Sequence, residues 1–188
     1  MQVKAGDWRR IWTAGGHRAF LSNAEKAAVA WARLDDYQSV LDVACDTGRV
    51  LQHIQQVRPH VRACGITRDQ KAARQLREES SAEVIFAECR DIPWHSDTFH
   101  LVIAPHRLLE GAHAEENVSE IFRVLSPGGR LVAVLPVRVM LKLRVKRGRT
   151  PHALSRLAEA GFTDISWRYA NWTHACAIAS KPRNAACA

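Results

Sequence analysis

The stretch VLDVACDTGRVL, residues 40–51, decides the fold of this chain. Residues 39–44 form a short apolar run that ends at an acidic residue and a turn, which is typical of a buried parallel strand. Asp46–Gly48 then turns the chain, because Asp and Gly both favour turns. Apolar residues follow at helical spacing, at positions 50, 51, 54 and 57. The segment therefore predicts a strand, a tight turn and a helix.

The same unit recurs along the chain. Short apolar runs predict further strands at 61–66, 83–88, 98–104 and 130–136. Helical patterns lie between and around them, at 24–34, 49–57, 70–80, 115–125 and 151–160. Two last strands, 162–169 and 173–180, follow one another and predict a hairpin at one edge. This alternation predicts an α/β fold, with a mostly parallel sheet and helices on both faces.

Four segments resemble the class I S-adenosylmethionine-dependent methyltransferases, and they occur in that family's order. Residues 40–48 resemble its first motif, V-L-D-x-G-C-G-T-G, and AECRDIPWHSDTFHLVIA at 87–104 is similar to G-D-A-x-x-L-P-F-x-x-x-x-F-D-x-V. EIFRVLSPGGRLVAVLP at 120–136 is close to E-x-x-R-V-L-K-P-G-G-x-L, and AEAGF at 158–162 resembles a closing element. The resemblance implies a Rossmann-like sheet of seven strands in the order 3-2-1-4-5-7-6, with strand 7 antiparallel.

The resemblance also implies a site for S-adenosylmethionine beyond the carboxyl ends of the strands, where open α/β sheets bind ligands. The implied cofactor-binding residues come from the first turn and from the ends of the next three strands: Asp42, Ala44, Cys45, Asp46, Gly48, Thr67, Arg68, Glu88, Cys89 and Ala104. Asp42 would orient the first motif and act on the methionine amine, or would only cap the turn. Thr67 would face the ribose, and Glu88 with the Cys89 backbone N–H would line the adenine edge.

Four residues depart from the family pattern. Ala44 and Asp46 stand where two glycines are usual, which costs little only if the backbone there does not need a positive φ. Asp46 would place a carboxylate near the methionine end of the ligand. Thr67 stands where an acid usually takes both ribose hydroxyls, and Glu88 is one methylene longer than the usual Asp. The alternative interpretation is therefore that the fold is kept while the cofactor site has decayed, so that the protein serves as a scaffold.

His106 is the candidate general base. It follows the fourth predicted strand in the stretch Ala104–Arg107, where histidine would titrate near neutral pH beside the reacting group. The alternative is that His106 only caps the next turn or faces solvent. His113 and His17 are weaker candidates. The stretch lacks the N/D-P-P-Y/F signature of amino-methylating nucleic-acid and glutamine enzymes.

Length and composition fit one soluble domain. The 188 residues predict a single methyltransferase-like domain, with a helical lid or cap at 1–36, a Rossmann-like core at 37–181 and a tail at 182–188. The chain shows no secretory signal and no apolar run long enough for a membrane span. Five cysteines without CxxC spacing predict free thiols, a cytoplasmic location and no metal site. Cys45 is expected to be a small buried apolar residue rather than a nucleophile.

The formal net charge of +8 permits a polyanionic partner without requiring one. Six basic residues and no acid lie in the segment 138–149: Arg138, Lys142, Arg144, Lys146, Arg147 and Arg149. They guard an edge strand against aggregation, or they bind phosphate or an acidic substrate. Four N-terminal aromatic residues are likewise either a lid over the ligand or part of the core: Trp8, Trp12, Phe20 and Trp31.

The predicted function is methyl transfer from S-adenosylmethionine to an oxygen, nitrogen or carbon atom of a small molecule. The first alternative is an RNA or protein methyltransferase guided by the segment 138–149. The second is a catalytically weak relative that binds the cofactor or serves as a scaffold. No membrane partner is expected, and the sequence leaves the acceptor and the oligomeric state open.

Overall fold

The computed structural model describes residues 22–32, 38–136, 152–169 and 172–183. Its helices are α1 (Asn23–Ala32), α2 (Arg49–Val57), α3 (Gln70–Glu79), α4 (Ala114–Val124) and α5 (His152–Glu159). Its strands are β1 (Ser39–Asp42), β2 (Arg62–Thr67), β3 (Glu83–Phe86), β4 (Phe99–Pro105), β5 (Leu125–Pro136), β6 (Thr163–Tyr169) and β7 (His174–Ser180). A short 3-10 helix, His106–Leu108, follows β4.

The seven strands form one sheet in the order β3-β2-β1-β4-β5-β7-β6. Strand β1 pairs in parallel with β2 on one side and with β4 on the other. Strand β7 pairs antiparallel with both β5 and β6, which forms the predicted hairpin at one edge. These observations confirm the predicted fold class and strand order. The parallel strands end at one edge of the sheet, so the turns that follow β1, β2, β3 and β4 lie next to each other.

Each face of the sheet buries its own apolar core. Helices α4 and α5 pack one face through Ile121 and Leu157, against strand residues such as Leu131. Helices α1, α2 and α3 pack the other face, where Ala28, Ala32 and Ile54 meet the opposite side of the strands. The expected helices on both faces are therefore present. None of the helices in the described part of the chain is long and apolar enough to cross a membrane.

Helix α1 begins with a capping box. Ser22 Oγ accepts a hydrogen bond from the Glu25 N–H at 3.3 Å, and the Glu25 carboxylate accepts one from the Ser22 N–H. Two backbone donors that the helix would leave unsatisfied are thereby paired. Helix α1 belongs to the predicted lid or cap at 1–36, and it packs on one face of the sheet. Residues 1–21, with Trp8, Trp12, Phe20 and His17, lie outside the described residues, as does the Trp31 side chain.

Strand β5 begins five residues earlier than predicted. The sequence predicts this strand over 130–136, yet it already starts at Leu125. Ser126 Oγ donates to the Phe99 carbonyl at 3.0 Å, and Gly128 N–H donates to the Lys181 carbonyl at 2.9 Å. These bonds to β4 and to the end of β7 hold the segment as a continuation of the strand. The basic segment 138–149 and residues 184–188 of the tail lie outside the described residues.

Lys181 joins three elements through a buried amine. The residue is 7% exposed, and its Nζ donates to Asp97 Oδ1 at 2.7 Å. It also donates to the carbonyls of Phe122 and Leu125, at 2.9 and 2.8 Å. Those carbonyls lie where α4 ends and β5 begins. The amine thus ties the end of β7 to the junction between α4 and β5.

We expect Lys181→Met to lower the free energy of unfolding by about 2–3 kcal/mol, because it leaves buried carbonyls without a donor. Urea unfolding followed by circular dichroism measures the change. The matched control is Lys71→Met on the exposed surface of α3, which should stay within about 0.5 kcal/mol of the native protein. Equal stability of the two variants would show that the buried amine contributes nothing.

Candidate functional site

The turn after β1 is hydrogen-bonded to both neighbouring strands. Val43 N–H donates to the Ile103 carbonyl of β4 at 3.1 Å, and Cys45 N–H donates to the Ile66 carbonyl of β2 at 3.0 Å. The turn therefore leaves the middle of the sheet at a position that its bonds to β2 and β4 define. Because its backbone is anchored on two sides, its amides and side chains are preorganised at the carboxyl edge.

Gly48 is the position in this turn that requires glycine. Its φ is +67°, and a Cβ atom there would lie 2.1 Å from Leu76 Cδ2 of α3. The positive φ favours glycine, and the missing side chain lets α2 start in contact with Leu76 of α3. In the described chain, the only non-glycine residues with positive φ are Asp97 and Asp164, so Ala44 and Asp46 adopt ordinary backbone conformations. These two departures from the family's glycines therefore introduce no backbone strain.

Asp42 closes β1 with a buried carboxyl group. It is 6% exposed, and its Oδ1 accepts a hydrogen bond from the Ala44 N–H at 3.0 Å. Desolvation raises the pKa of Asp42 from 3.8 to about 7, against the opposing effect of the Ala44 bond. The neighbouring Asp46 and Glu25 raise that pKa further. The site thus holds a carboxyl group whose charged form is unfavourable unless a cation comes near.

Glu25 of α1 reaches into the same turn, and sequence reasoning missed this role. Its Oε1 accepts from Thr47 Oγ1 and from Arg49 Nε, both at 3.3 Å, while Arg49 Nε also donates to Thr47 Oγ1 at 3.1 Å. The available signal was the Ser-x-x-Glu spacing at 22–25, which predicts a capping box but not a distant contact. The start of α1 and the turn after β1 are therefore held as one unit.

A second polar group links the ends of β1, β2 and β4. Asp46 Oδ1 accepts from Thr67 Oγ1, and Asp46 Oδ2 pairs with Arg107 Nη2, both at 3.3 Å. Thr67 is 2% exposed, whereas the side chains of Asp46 and Arg107 are 58% and 61% exposed. Three residues that lie far apart in the sequence thus meet at the edge of the sheet. Sequence reasoning singled out Asp46 and Thr67 separately but did not pair them.

The loop after β3 contains the predicted adenine-edge residues. The Glu88 carboxylate pairs with Arg90 at 2.6 Å and with Arg68 at 3.6 Å, and all three side chains are exposed. The side chains of Cys89 and Ile92 are instead buried in the core. Glu88 and Arg68 therefore lie at the protein surface beside the carboxyl edge of the sheet. The Cys89 side chain lies in the core, so this residue could offer a ligand only its backbone.

Arg123 and Glu120 of α4 hold this loop. Arg123 donates to the carbonyls of Ile92 and Trp94 at 2.9 and 2.8 Å, and Glu120 accepts from the Ile92 N–H at 2.9 Å. Arg123 and Glu120 also pair with each other at 2.6 Å, which lowers the pKa of Glu120. The E-x-x-R spacing that resembled the family therefore has a structural role, since it fixes the loop that follows β3.

His106 lies where it was predicted, directly after β4, as the first residue of the 3-10 turn. It is half-buried, and its carbonyl accepts from the Leu109 N–H at 2.9 Å. Ala104 is fully buried in β4, and the exposed His113 is paired with Glu116 at 2.7 Å. Burial raises the pKa of the Cys45 thiol well above its usual range, which is the behaviour expected of a buried apolar residue.

The chain matches known methyltransferases in sequence. A family model described as a methyltransferase domain matches residues 40–129. The demethylmenaquinone methyltransferase of Clavibacter sepedonicus is 28% identical over 97 residues, 50% of this chain and 40% of the relative. The ubiquinone/menaquinone biosynthesis C-methyltransferase UbiE of Geobacter sulfurreducens is 32% identical over 133 residues, 65% of this chain and 50% of the relative. The chain spans about half the length of these curated relatives.

The fold matches a solved structure, that of the S-adenosylmethionine-dependent methyltransferase SibL in its apo form. The TM-score is 0.67 at 19% identity, with 85% of this chain and 55% of that chain covered. The strand order and the anchored turn after β1 define a Rossmann-like domain of the methyltransferase type. With the family model over residues 40–129 and the two relatives, they make this chain similar to the class I S-adenosylmethionine-dependent methyltransferases in both sequence and fold.

The raised pKa of Asp42 predicts that stability falls as pH rises. The folded protein keeps this proton up to about pH 7, whereas the unfolded chain loses it near pH 4. The native state therefore binds more protons between these values, and the stability that this carboxyl group contributes below pH 4 is lost by pH 7. Asp42→Asn removes the titration. Between pH 5 and 8 its stability relative to the native protein should rise by about 2–3 kcal/mol.

Urea unfolding of both proteins at pH 5, 6, 7 and 8, without ligand, measures this difference. Asn keeps an oxygen that can accept from the Ala44 N–H, so the variant preserves the turn. Parallel stability curves for the two proteins would contradict a raised pKa at Asp42.

Proposed function

We propose that this protein binds S-adenosylmethionine at the carboxyl edge of β1, β2, β3 and β4 and transfers its methyl group to a small molecule. The observation that carries the proposal is the turn 42–48, whose sequence resembles the family's first motif and whose backbone is anchored to both flanking strands. The match of residues 40–129 to a methyltransferase domain supports the same cofactor.

The residues present fit the three parts of this cofactor. The buried carboxyl group of Asp42 and the first turn suit the methionine amine, because an ammonium group favours the charged carboxylate. The carboxylate of Asp46, held beside Thr67 at the end of β2, suits the ribose, and Glu88 in the loop after β3 suits the adenine amino group. Gly48 lets α2 begin directly after the turn, packed against Leu76 of α3. When bound, the cofactor supplies an electrophilic methyl group on a sulfonium.

For the acceptor, we propose the ring carbon of a reduced quinone. One curated relative is named a demethylmenaquinone methyltransferase, and the other is named a ubiquinone/menaquinone biosynthesis C-methyltransferase. An aromatic ring carbon becomes nucleophilic when a neighbouring hydroxyl group loses its proton. His106, half-buried at the end of β4, is the residue that we propose takes this proton.

The basic segment 138–149 favours a second candidate, an RNA or protein methyltransferase. Six cations and no acid lie in that segment of the sequence, and such a concentration of positive charge would attract a polyanion. The two candidates differ in where the transferred methyl group is found. A labelled methyl donor supplied with a reduced quinone or with RNA separates them, because the label stays with whichever molecule is the acceptor.

S-adenosylhomocysteine should bind with one site per chain in an isothermal titration. Asp42→Ala and Glu88→Ala should each weaken binding by about 1–3 kcal/mol, because polar groups of the ligand lose their partners. Glu79→Gln, on the exposed end of α3, is the control and should bind as the native protein does. Absence of both heat and thermal shift at millimolar ligand would contradict the proposal and favour a scaffold.

If His106 is the base, His106→Asn should lower turnover by about 10²–10⁴-fold and leave the affinity for S-adenosylhomocysteine nearly unchanged. The assay follows transfer of labelled methyl from S-adenosylmethionine to a reduced quinone. His113→Asn, at the exposed start of α4, serves as the matched control. Near-normal turnover of His106→Asn would leave proximity and orientation as the means of catalysis.

A further inference from the structure

The hydroxyl group of Thr67 is already engaged within the protein. Thr67 closes β2 and is 2% exposed. Its Oγ1 accepts from the Asp69 N–H at 3.2 Å and donates to Asp46 Oδ1 at 3.3 Å. A hydroxyl group has one proton to donate, and here Asp46 receives it. Thr67 is therefore a residue that positions Asp46, rather than one that replaces the missing acid by itself.

The carboxylate of Asp46 lies at the end of β2 although the residue belongs to the turn after β1. One of its oxygens contacts Thr67, which occupies the position where the family usually carries an acid. The other oxygen pairs with Arg107 at 3.3 Å. The Asp46 side chain is 58% exposed, so it remains accessible at the edge while its neighbours define its direction.

We propose that Asp46 binds the two ribose hydroxyls of the cofactor, in place of the acid that is absent from the end of β2. A carboxylate has two oxygens and suits a vicinal diol, whereas a single threonine hydroxyl does not. The inference rests on the proposed cofactor binding and deepens it. Asp46 in place of a glycine of the first motif would then compensate for Thr67 in place of the acid at the end of β2.

The ion pair with Arg107 does not prevent this role. Both side chains are more than half exposed, and pairs of this kind contribute little to stability, so a ligand can displace or share the contact. The ordinary backbone conformation of Asp46 also means that substitution there disturbs no strained turn. Variants at this position therefore report on the side chain.

The opposing account is that the Asp46 carboxylate obstructs the site. The two accounts predict opposite changes in the affinity for S-adenosylhomocysteine when the Asp46 carboxylate is removed. If Asp46 binds the ribose, Asp46→Asn should weaken S-adenosylhomocysteine binding by about 10–100-fold, as expected when hydrogen bonds to a charged group are lost. If Asp46 obstructs the site, Asp46→Gly should strengthen binding.

The test is isothermal titration with S-adenosylhomocysteine and with its 2′,3′-dideoxy analogue. The native protein should bind the analogue more weakly than S-adenosylhomocysteine, and Asp46→Asn should bind the two ligands alike. The double variant Asp46→Gly with Thr67→Asp moves the carboxylate to the end of β2 and should recover most of the affinity that Asp46→Gly loses. Glu79→Gln is the control for removal of a surface carboxylate.

The outcomes separate this inference from the proposed function. Native protein that binds S-adenosylhomocysteine equally well with and without the Asp46 carboxylate overturns the ribose assignment alone. Binding by the double variant but not by the native protein overturns it too, and identifies Asp46 as an obstruction. Absence of binding by every protein in the series overturns both proposals. Thermal unfolding without ligand confirms that each variant is folded.

Discussion

Two backbone hydrogen bonds hold the turn after β1 between its neighbouring strands, and the edge of the sheet is organised around them. Val43 N–H donates to Ile103, and Cys45 N–H donates to Ile66. They extend the parallel pairing of β1 beyond its last residue and so fix the position of the turn relative to β2 and β4. Gly48 then lets α2 start against α3 without a clash. Because the turn is anchored on both sides, Asp42 and Asp46 are held in position before any ligand binds.

This anchored turn has an electrostatic cost. Asp42 is buried, and desolvation raises its pKa to about 7, so the carboxylate near neutral pH lacks the solvation that it would have in water. A cation beside Asp42 would relieve that cost. Perturbed carboxyl groups in a cleft are typical of sites that bind or react with ligands. The buried Asp42 therefore supports the proposed binding of a cationic group at this turn.

Contacts from distant elements complete the edge. Glu25, which caps α1, also accepts hydrogen bonds from Thr47 and Arg49 in the first turn. Arg123, paired with Glu120, holds the carbonyls of the loop after β3. In both cases an acid–base or capping pair on a helix surface also binds backbone or side chains of a loop. The helices therefore act as rigid supports that position loops, in addition to covering the sheet.

The sequence by itself determined the order of strands and helices, because apolar periodicity and turn residues are local properties. It also identified Asp42 and Gly48 as residues at the edge through the segment that resembles the family's first motif, and His106 through its position after the fourth predicted strand. Only the tertiary structure decided that Glu25 contacts the first turn and that Asp46 meets Thr67 and Arg107. Those contacts join residues separated by 22, 21 and 61 positions. Sequence spacing carries no information on such distances, because they follow from which strand ends become neighbours in the sheet.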